Sequence, residues 1–162
     1  MAPNHPPPKT PAAETDLAGV ADLLGGRRWF RDNALDDPFA LHDRLVRGLP
    51  VIALQHFSRR FPLVTKDPAF GRVLASPAVP RASPRNSRSG RLGSQESAQL
   101  WRLAVVLVKA APLLGGAEPA ERWLLKPAMG LGHRRPLDLL ETPAGCELVA
   151  DHLIQLEFSV YV

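Results

Sequence analysis

The sequence contains very little cysteine and few aromatic residues, and both shortages narrow the structural class. Its single cysteine, Cys146, excludes an internal disulfide bond and is typical of proteins from a reducing compartment. Aromatic residues make up only 6% of the 162 residues, while 45% are hydrophobic. Long alternating runs of valine, isoleucine and threonine, which half-buried strands require, are missing. The composition therefore predicts an all-α fold with a packed core.

Long hydrophobic runs are missing as well. The first fifteen residues lack the apolar segment of a signal peptide. The longest apolar run, Leu103 to Val108, covers about one and a half helical turns, so no window approaches a membrane span. These features predict a cytoplasmic protein without a membrane partner.

Residues that bind metals or perform catalysis are too scattered to form a recognisable site. The five histidines and one cysteine show none of the usual metal-ligand spacings. Cys146 could act as a nucleophile with His133 or His152, but it lies on an apolar helical stripe without a glycine-rich oxyanion turn. The sequence thus predicts a protein without catalytic activity, cofactor or metal.

Proline and positive charge are abundant but unevenly distributed. Residues 1–15 are rich in proline and are predicted to form a disordered tail. Residues 59–91 contain eight basic residues and one acidic residue, a net charge of +7, so the rest of the +4 chain carries −3. Such a block favours a polyanionic partner, and the alternative is a solvated basic loop.

The spacing of apolar residues and the start and stop signals of helices predict three helical regions. An N-terminal helical segment covers residues 16–47, a helix-turn-helix-like region covers residues 48–114, and a C-terminal module covers residues 115–162. Within them, helices are expected at 16–24, at 38–46, from Pro50 to Pro62, after Asp67, from a cap at Ser94 to Pro112, before Pro127, after Pro136 and after Thr142.

The helix-turn-helix pattern is interrupted where its recognition helix should lie. Two short helices joined by a tight connection precede residues 76–93, which contain Pro77, Pro80 and Pro84. An interior proline costs a helix about 3 kcal/mol, so this stretch is predicted to be a basic loop. Attraction to phosphate needs charge rather than a helix. Non-specific DNA contact is therefore predicted for Arg81, Arg85, Arg88 and Arg91.

The C-terminal module begins its last helix with a good start signal. Thr142 can accept a hydrogen bond from a free N–H group, and Pro143 suits the first helical position. One apolar stripe follows at Cys146, Val149, Leu153 and Leu156. The last six residues are too apolar for a frayed end, and they are expected to form an extended tip. Trp123, beside leucines, is expected in the core.

A series of motifs in this order resembles the Xre/MbcA/ParS-type antitoxins of RES–Xre toxin–antitoxin pairs. The matching residues are Gly48-Leu49-Pro50, Gly90-Arg91-Leu92, Glu96-Ser97, Arg122-Trp123-Leu124, Pro127, Leu131-Gly132, Arg135-Pro136-Leu137-Asp138-Leu139-Leu140, Thr142, Gly145, Val149, Leu153 and Glu157. The resemblance extends from about residue 48 to the C-terminus and is most specific over 119–162.

The resemblance implies a C-terminal domain that binds a RES-domain toxin and whose last residues block the toxin's NAD-binding cleft. It also implies homodimerisation and repression of the protein's own promoter by the helix-turn-helix-like region. The toxin-binding residues would be Arg134, Arg135, Gln155, Glu157, Phe158, Val160, Tyr161 and Val162.

The sequence departs from the family pattern at several positions. His133 replaces a glycine, so the turn there is expected to differ, because positive φ suits histidine poorly. Gln155 replaces an arginine and Ser159 a glycine, while the proline-interrupted segment replaces an arginine-rich recognition helix. Two alternatives to the antitoxin hypothesis therefore remain: a DNA-binding transcriptional repressor, and an orphan antitoxin without operator binding.

Overall fold

Nine α-helices form most of the part of the chain that the structure describes. The structure, a computed structural model, describes residues 11–30, 35–74 and 90–160. The helices are α1 (Pro11–Leu23), α2 (Pro38–Arg47), α3 (Val51–Arg60), α4 (Pro62–Lys66), α5 (Pro68–Val73), α6 (Ser94–Leu114), α7 (Ala117–Leu124), α8 (Pro136–Leu139) and α9 (Pro143–Val160). Short 3-10 turns occur at Arg27–Trp29 and Met129–Leu131. Residues 11–30, 35–74 and 90–160 contain no β-strand, so the predicted all-α fold is confirmed.

The long helix α6 is the centre of the fold. It packs against α1, α2, α7 and α9. The apolar stripe predicted from its sequence is buried, as Leu100, Leu103 and Leu107 are at most 1% exposed. Its N-cap is Gly93, whose N–H donates to Glu96 Oε2 at 2.9 Å. The predicted cap at Ser94 is therefore wrong by one residue.

Helix α6 also corrects the expectation that no segment approaches a membrane span. By length and composition alone, Ser94–Leu114 could cross a bilayer, and 44% of its most apolar window is buried inside the protein. It continues past Pro112 and ends at Gly115, whose φ of 90° stops the helix. The neighbours on several sides identify α6 as a core helix, which passes the same length and composition test.

The N-terminal segment forms two helices that cover one side of α6. Helix α1 begins at Pro11, so residues 11–15 do not belong to the predicted disordered tail. The predicted apolar face is buried at Val20 and Ala21 in α1 and at Leu24 directly after it. Helix α2 packs on α6 and leaves Phe39 82% exposed.

The predicted pair of helices after Pro50 is in fact three. Pro62 ends α3 but is also the first residue of α4, a helix that the sequence analysis missed. The predicted cap at Asp67 is confirmed, because its Oδ1 accepts a 2.9 Å hydrogen bond from Ala69 N–H at the start of α5. Residues 75–89, which include most of the predicted basic loop, lie outside the residues that the structure describes.

One continuous group of buried side chains joins all parts of the fold. It runs from Val20 in α1 through Phe57 in α3 and Leu103 in α6 to Leu153 in α9. Helix α4 packs on α7, and α5 packs on α8. The C-terminal module therefore contacts the helix-turn-helix-like region along four helix pairs, because α6 also packs on α7 and α9. The boundary at residues 114 and 115 stays a prediction.

Candidate functional site

The start of α9 has the structure that its sequence predicts. Thr142 Oγ1 accepts a hydrogen bond from Gly145 N–H at 3.1 Å, and Pro143 is the first helical residue. Gly145 is buried against α8, where a Cβ atom would collide with the carbonyl oxygen of Leu139. The helix thus approaches α8 more closely than any residue other than glycine allows.

The inner face of α9 is part of the core. Val149 and Leu153 are buried, and Cys146 and Leu156 pack against them, so the predicted stripe is confirmed. The Cys146 thiol lies 3.6 Å from the Leu140 carbonyl oxygen, to which it donates a weak hydrogen bond. This position gives the thiol a packing role.

The last turns of α9 remain helical, contrary to the expected extended tip. The helix continues through Val160, while Tyr161 and Val162 lie outside the described residues. No glycine or proline follows Gly145 to interrupt the helix. Ser159 Oγ donates to the Gln155 carbonyl oxygen at 2.8 Å, one turn earlier.

The outer face of α9 exposes large apolar side chains. Ile154 is 50% exposed and Phe158, one turn later, is 69% exposed. Leu148 is also exposed, and Gln155 and Glu157 are exposed polar neighbours. Residues four apart lie on the same face of a helix, so Ile154 and Phe158 form one apolar ridge near its end. We call Ile154 and Phe158 the α9 ridge.

The toxin-binding residues predicted from the sequence include Phe158 but not Ile154. A helical periodicity continued through the last turn would have placed both on the face opposite to Val149 and Leu153. The sequence prediction had an extended tip over the last six residues. It therefore ended the helix before Phe158 and did not place Phe158 on one helical face with Ile154.

The turn before α8 packs against the middle of α9. The imidazole of His152 lies against Gly130, where a Cβ atom would collide with the ring. The indole of Trp123 stacks on the same imidazole, with ring centroids 6.2 Å apart and an interplanar angle of 12°. Trp123 is partly buried against the core, as predicted. Met129 is 82% exposed in this turn.

His133 retains the left-handed backbone that a glycine would adopt. Its φ is 59°, beside Gly132 at 62°, and it is the one non-glycine residue with positive φ in the described ranges. The turn is closed by a hydrogen bond from Ala128 N–H to the Arg134 carbonyl oxygen at 3.0 Å. Histidine thus occupies this turn at a cost in backbone strain.

The two arginines assigned to toxin binding are in different environments. Arg134 is exposed, whereas the guanidinium group of Arg135 is hydrogen-bonded to Asp67 and Asp138. The hydrogen bonds from Arg135 hold the pKa of both carboxyl groups below their usual range, and the two carboxylates raise the pKa of Arg135. Arg135 already has two partners within its own chain.

The structure describes one of the four arginines assigned to DNA contact. Arg91 Nη1 donates to the Gly48 carbonyl oxygen at 2.7 Å. Arg81, Arg85 and Arg88 lie outside the described residues. Among His, Cys, Asp and Glu in the described part, no group of three or more could hold a metal ion.

Comparison with known proteins assigns a family to the C-terminal part. Residues 109–158 match the model of the antitoxin Xre/MbcA/ParS C-terminal toxin-binding domain. The C-terminal part of the chain is therefore similar to the toxin-binding domain of the Xre-type antitoxins. A relative named Antitoxin Xre, from Yersinia enterocolitica serotype O:8 / biotype 1B (strain NCTC 13174 / 8081), is 36% identical over 92 residues. That match covers 55% of this chain and 62% of the relative.

The matched region coincides with the structural features described above. The matched region includes the last six residues of α6, the helices α7 and α8, and α9 up to Phe158. Its exposed apolar residues are Met129, Leu148, Ile154 and Phe158. Two of these form the α9 ridge, close to the end of the domain.

Proposed function

We propose that this chain is the antitoxin of a type II toxin–antitoxin system and neutralises a RES-domain, NAD-consuming toxin. In this proposal the end of α9 enters the mouth of the toxin's active site, and the chain itself has no catalytic activity. The observation that supports this proposal most directly is the α9 ridge. Ile154 and Phe158 are 50% and 69% exposed on a helix whose opposite face is buried.

The form of this surface supports insertion into a cleft. An amphipathic helix binds a groove through apolar residues spaced three or four apart, and a few large anchors supply most of the affinity. Ile154 and Phe158 have this spacing, and Gln155 and Glu157 supply polar groups on either side. Val160, Tyr161 and Val162 extend the same end of the chain.

The experiment is co-expression of the toxin with variants of this chain, scored by cell growth. Truncation after Leu156 removes Phe158 and all later residues, and we expect the toxin to kill cells that carry it. Phe158→Asp, in the full chain, is expected to do the same, because it places a charge where an apolar anchor is needed.

Ala144→Asp is the matched control, because it adds the same charge to an exposed position at the other end of α9. We expect this variant to protect cells as well as the unmodified chain does. If the truncated chain protects equally well, insertion of the α9 end is wrong. Measurement of cellular NAD in the same cultures tests the toxin class separately.

A second proposed activity is DNA binding by a homodimer that represses its own promoter. The observation in its favour is the net charge of +7 over residues 59–91, together with the exposed side chains of Arg59, Arg60 and Arg72. Arg81, Arg85, Arg88 and Arg91 would contact phosphates of the DNA backbone.

Binding to promoter and scrambled duplexes at about 50 mM and 200 mM salt tests this activity. Preference for the promoter supports repression. Equal, strongly salt-dependent binding indicates phosphate attraction alone, and absence of binding leaves an orphan antitoxin without an operator. Light scattering of the same samples tests the proposed homodimer.

A further inference from the structure

Arg135 makes two bidentate contacts, one with Asp67 at the start of helix α5 and one with Asp138 in its own C-terminal module. Its Nη1 lies 2.8 Å from Asp67 Oδ2 and its Nη2 lies 3.2 Å from Asp67 Oδ1. Its Nε and Nη2 each lie 2.8 Å from the oxygens of Asp138. The side chains of Arg135 and Asp67 are 29% and 17% exposed, so solvent screens their contact less than it screens a surface ion pair.

Asp67 has a second task that makes this contact important for α5. Its Oδ1 accepts the N–H of Ala69 at 2.9 Å and caps the helix, whose first residue is Pro68. Arg135 therefore binds the residue that starts α5. A planar guanidinium group suits this arrangement, because it can serve two carboxylates in fixed directions.

A buried carboxylate makes an equivalent link from α7 to α4. Glu121 is only 4% exposed, and its Oε1 accepts the N–H groups of Leu63 at 2.7 Å and Val64 at 3.0 Å. These are N–H groups of the first turn of α4, which cannot be satisfied within the helix. The polar start of α4, like that of α5, is thus completed by the C-terminal module.

A third, exposed contact connects the end of α5 with α8. Arg72 Nε lies 2.7 Å from Glu141 Oε1, and its Nη2 lies 3.4 Å from Asp138 Oδ1. Solvent screens these pairs, so we assign them a smaller effect. Asp138 nevertheless receives both Arg72 and Arg135, which joins the contacts into one network.

We infer that Arg135 is a positioning residue that couples the C-terminal module to the α4–α5 pair, so that a change in the module alters both short helices. Helices α4 and α5 contain five and six residues, too few to be stable in isolation. The predicted basic loop, residues 76–93, follows α5 in the sequence. The C-terminal module therefore determines the position from which that segment starts, whatever partner the module binds.

Amide hydrogen exchange in the full chain tests this inference. In Arg135→Met we expect exchange in residues 63–74 to accelerate about tenfold, while peptides from the buried half of α6 keep their protection. Arg134→Met is the matched control, because it removes the same charge from the neighbouring exposed position. Unchanged exchange in residues 63–74, or the same acceleration in α6, overturns the inference.

A double-mutant cycle between Asp67→Asn and Arg135→Met supplies the second readout. We expect the unfolding constant of the double variant to differ about fivefold from the product of the two single effects. Additive effects contradict the direct coupling. Should Arg135→Met fail to fold, Arg135→Lys retains the charge without the bidentate geometry. We then expect a smaller acceleration, still confined to residues 63–74, and wild-type exchange overturns the inference.

Discussion

The N–H group of Leu49 donates a 2.8 Å hydrogen bond to Ser97 Oγ, and both residues are completely buried. This bond joins the Gly-Leu-Pro motif to the Glu-Ser motif, which lies 48 positions later in the sequence. Beside it, Leu92 N–H donates to the Leu49 carbonyl oxygen at 2.8 Å, and Val51 N–H donates to the Gly90 carbonyl oxygen at 3.0 Å. The residues before and at the start of α3 and the residues before and within the first turn of α6 are therefore joined by hydrogen bonds at one junction.

Gly48 is required at this junction for two reasons. Its φ is 88°, and a Cβ atom there would collide with the carbonyl oxygen of Leu92. Its own carbonyl oxygen accepts the hydrogen bond from Arg91. The Gly-Leu-Pro, Gly-Arg-Leu and Glu-Ser motifs therefore meet at one structural junction.

Ser97→Ala is expected to lower the free energy of unfolding by about 1–3 kcal/mol, because it leaves the buried N–H of Leu49 without an acceptor. Urea unfolding followed by circular dichroism measures the change. Ser94→Ala is the control: Ser94 is exposed and is not the cap of α6, so its loss should cost less than about 0.5 kcal/mol. Equal losses in the two variants would show that Leu49 finds another acceptor.

Gly145→Ala is expected to lower the free energy of unfolding by about 3 kcal/mol, at the upper end of overpacking effects. The added methyl group meets the backbone of Leu139, which cannot rotate away. Thermal unfolding measures the loss. Ala144→Ser adds one atom at the exposed neighbouring position and should change stability by less than about 0.5 kcal/mol. A Gly145→Ala variant as stable as Ala144→Ser would contradict the close approach of α8 and α9.

His133→Gly is expected to raise the free energy of unfolding by up to about 1 kcal/mol. Glycine relieves the strain of positive φ, although it also increases the entropy of the unfolded chain. His133→Ala keeps the strain and should give no gain, so it separates the backbone effect from loss of the imidazole. Denaturant unfolding of both variants at neutral pH makes the comparison, and an equal gain in both would contradict the backbone explanation.

Acidification is expected to destabilise the protein through Asp67 and Asp138. Hydrogen bonds from Arg135 lower the pKa of both groups in the folded state. Their contribution is complete above the unfolded-state pKa of about 3.9 and is lost as pH falls through the lower folded-state values. Unfolding free energies measured from pH 6 to pH 2.5 should therefore decline less steeply in Arg135→Met than in the unmodified chain.

Arg134→Met provides the control for this pH dependence, because Arg134 is exposed and makes neither of these contacts. It should follow the unmodified chain across the whole range. Parallel curves for Arg135→Met and Arg134→Met would contradict the assignment of the acid sensitivity to the Arg135 contacts.

The amino-acid sequence by itself determined the features that depend on local chemistry. The cap at Asp67 and the hydrogen bond from Gly145 to Thr142 follow from side chains within three residues of the helix starts. The buried stripe of Val149 and Leu153 follows from helical periodicity. The toxin-binding domain was predicted from the resemblance of its sequence motifs to a known family, and the family model matches residues 109–158.

Only the tertiary structure determined the contacts between residues distant in sequence. Asp67, one of the two partners of Arg135, lies 68 residues away from it, and the acceptor for Leu49 N–H is Ser97. The local sequence does not predict either pair. Arg135 and Ser97 could each bind many other residues, and only the fold selects among them. The α9 ridge also depends on packing, because burial of the opposite face keeps the helix intact beyond Leu153 and thereby leaves Ile154 and Phe158 exposed.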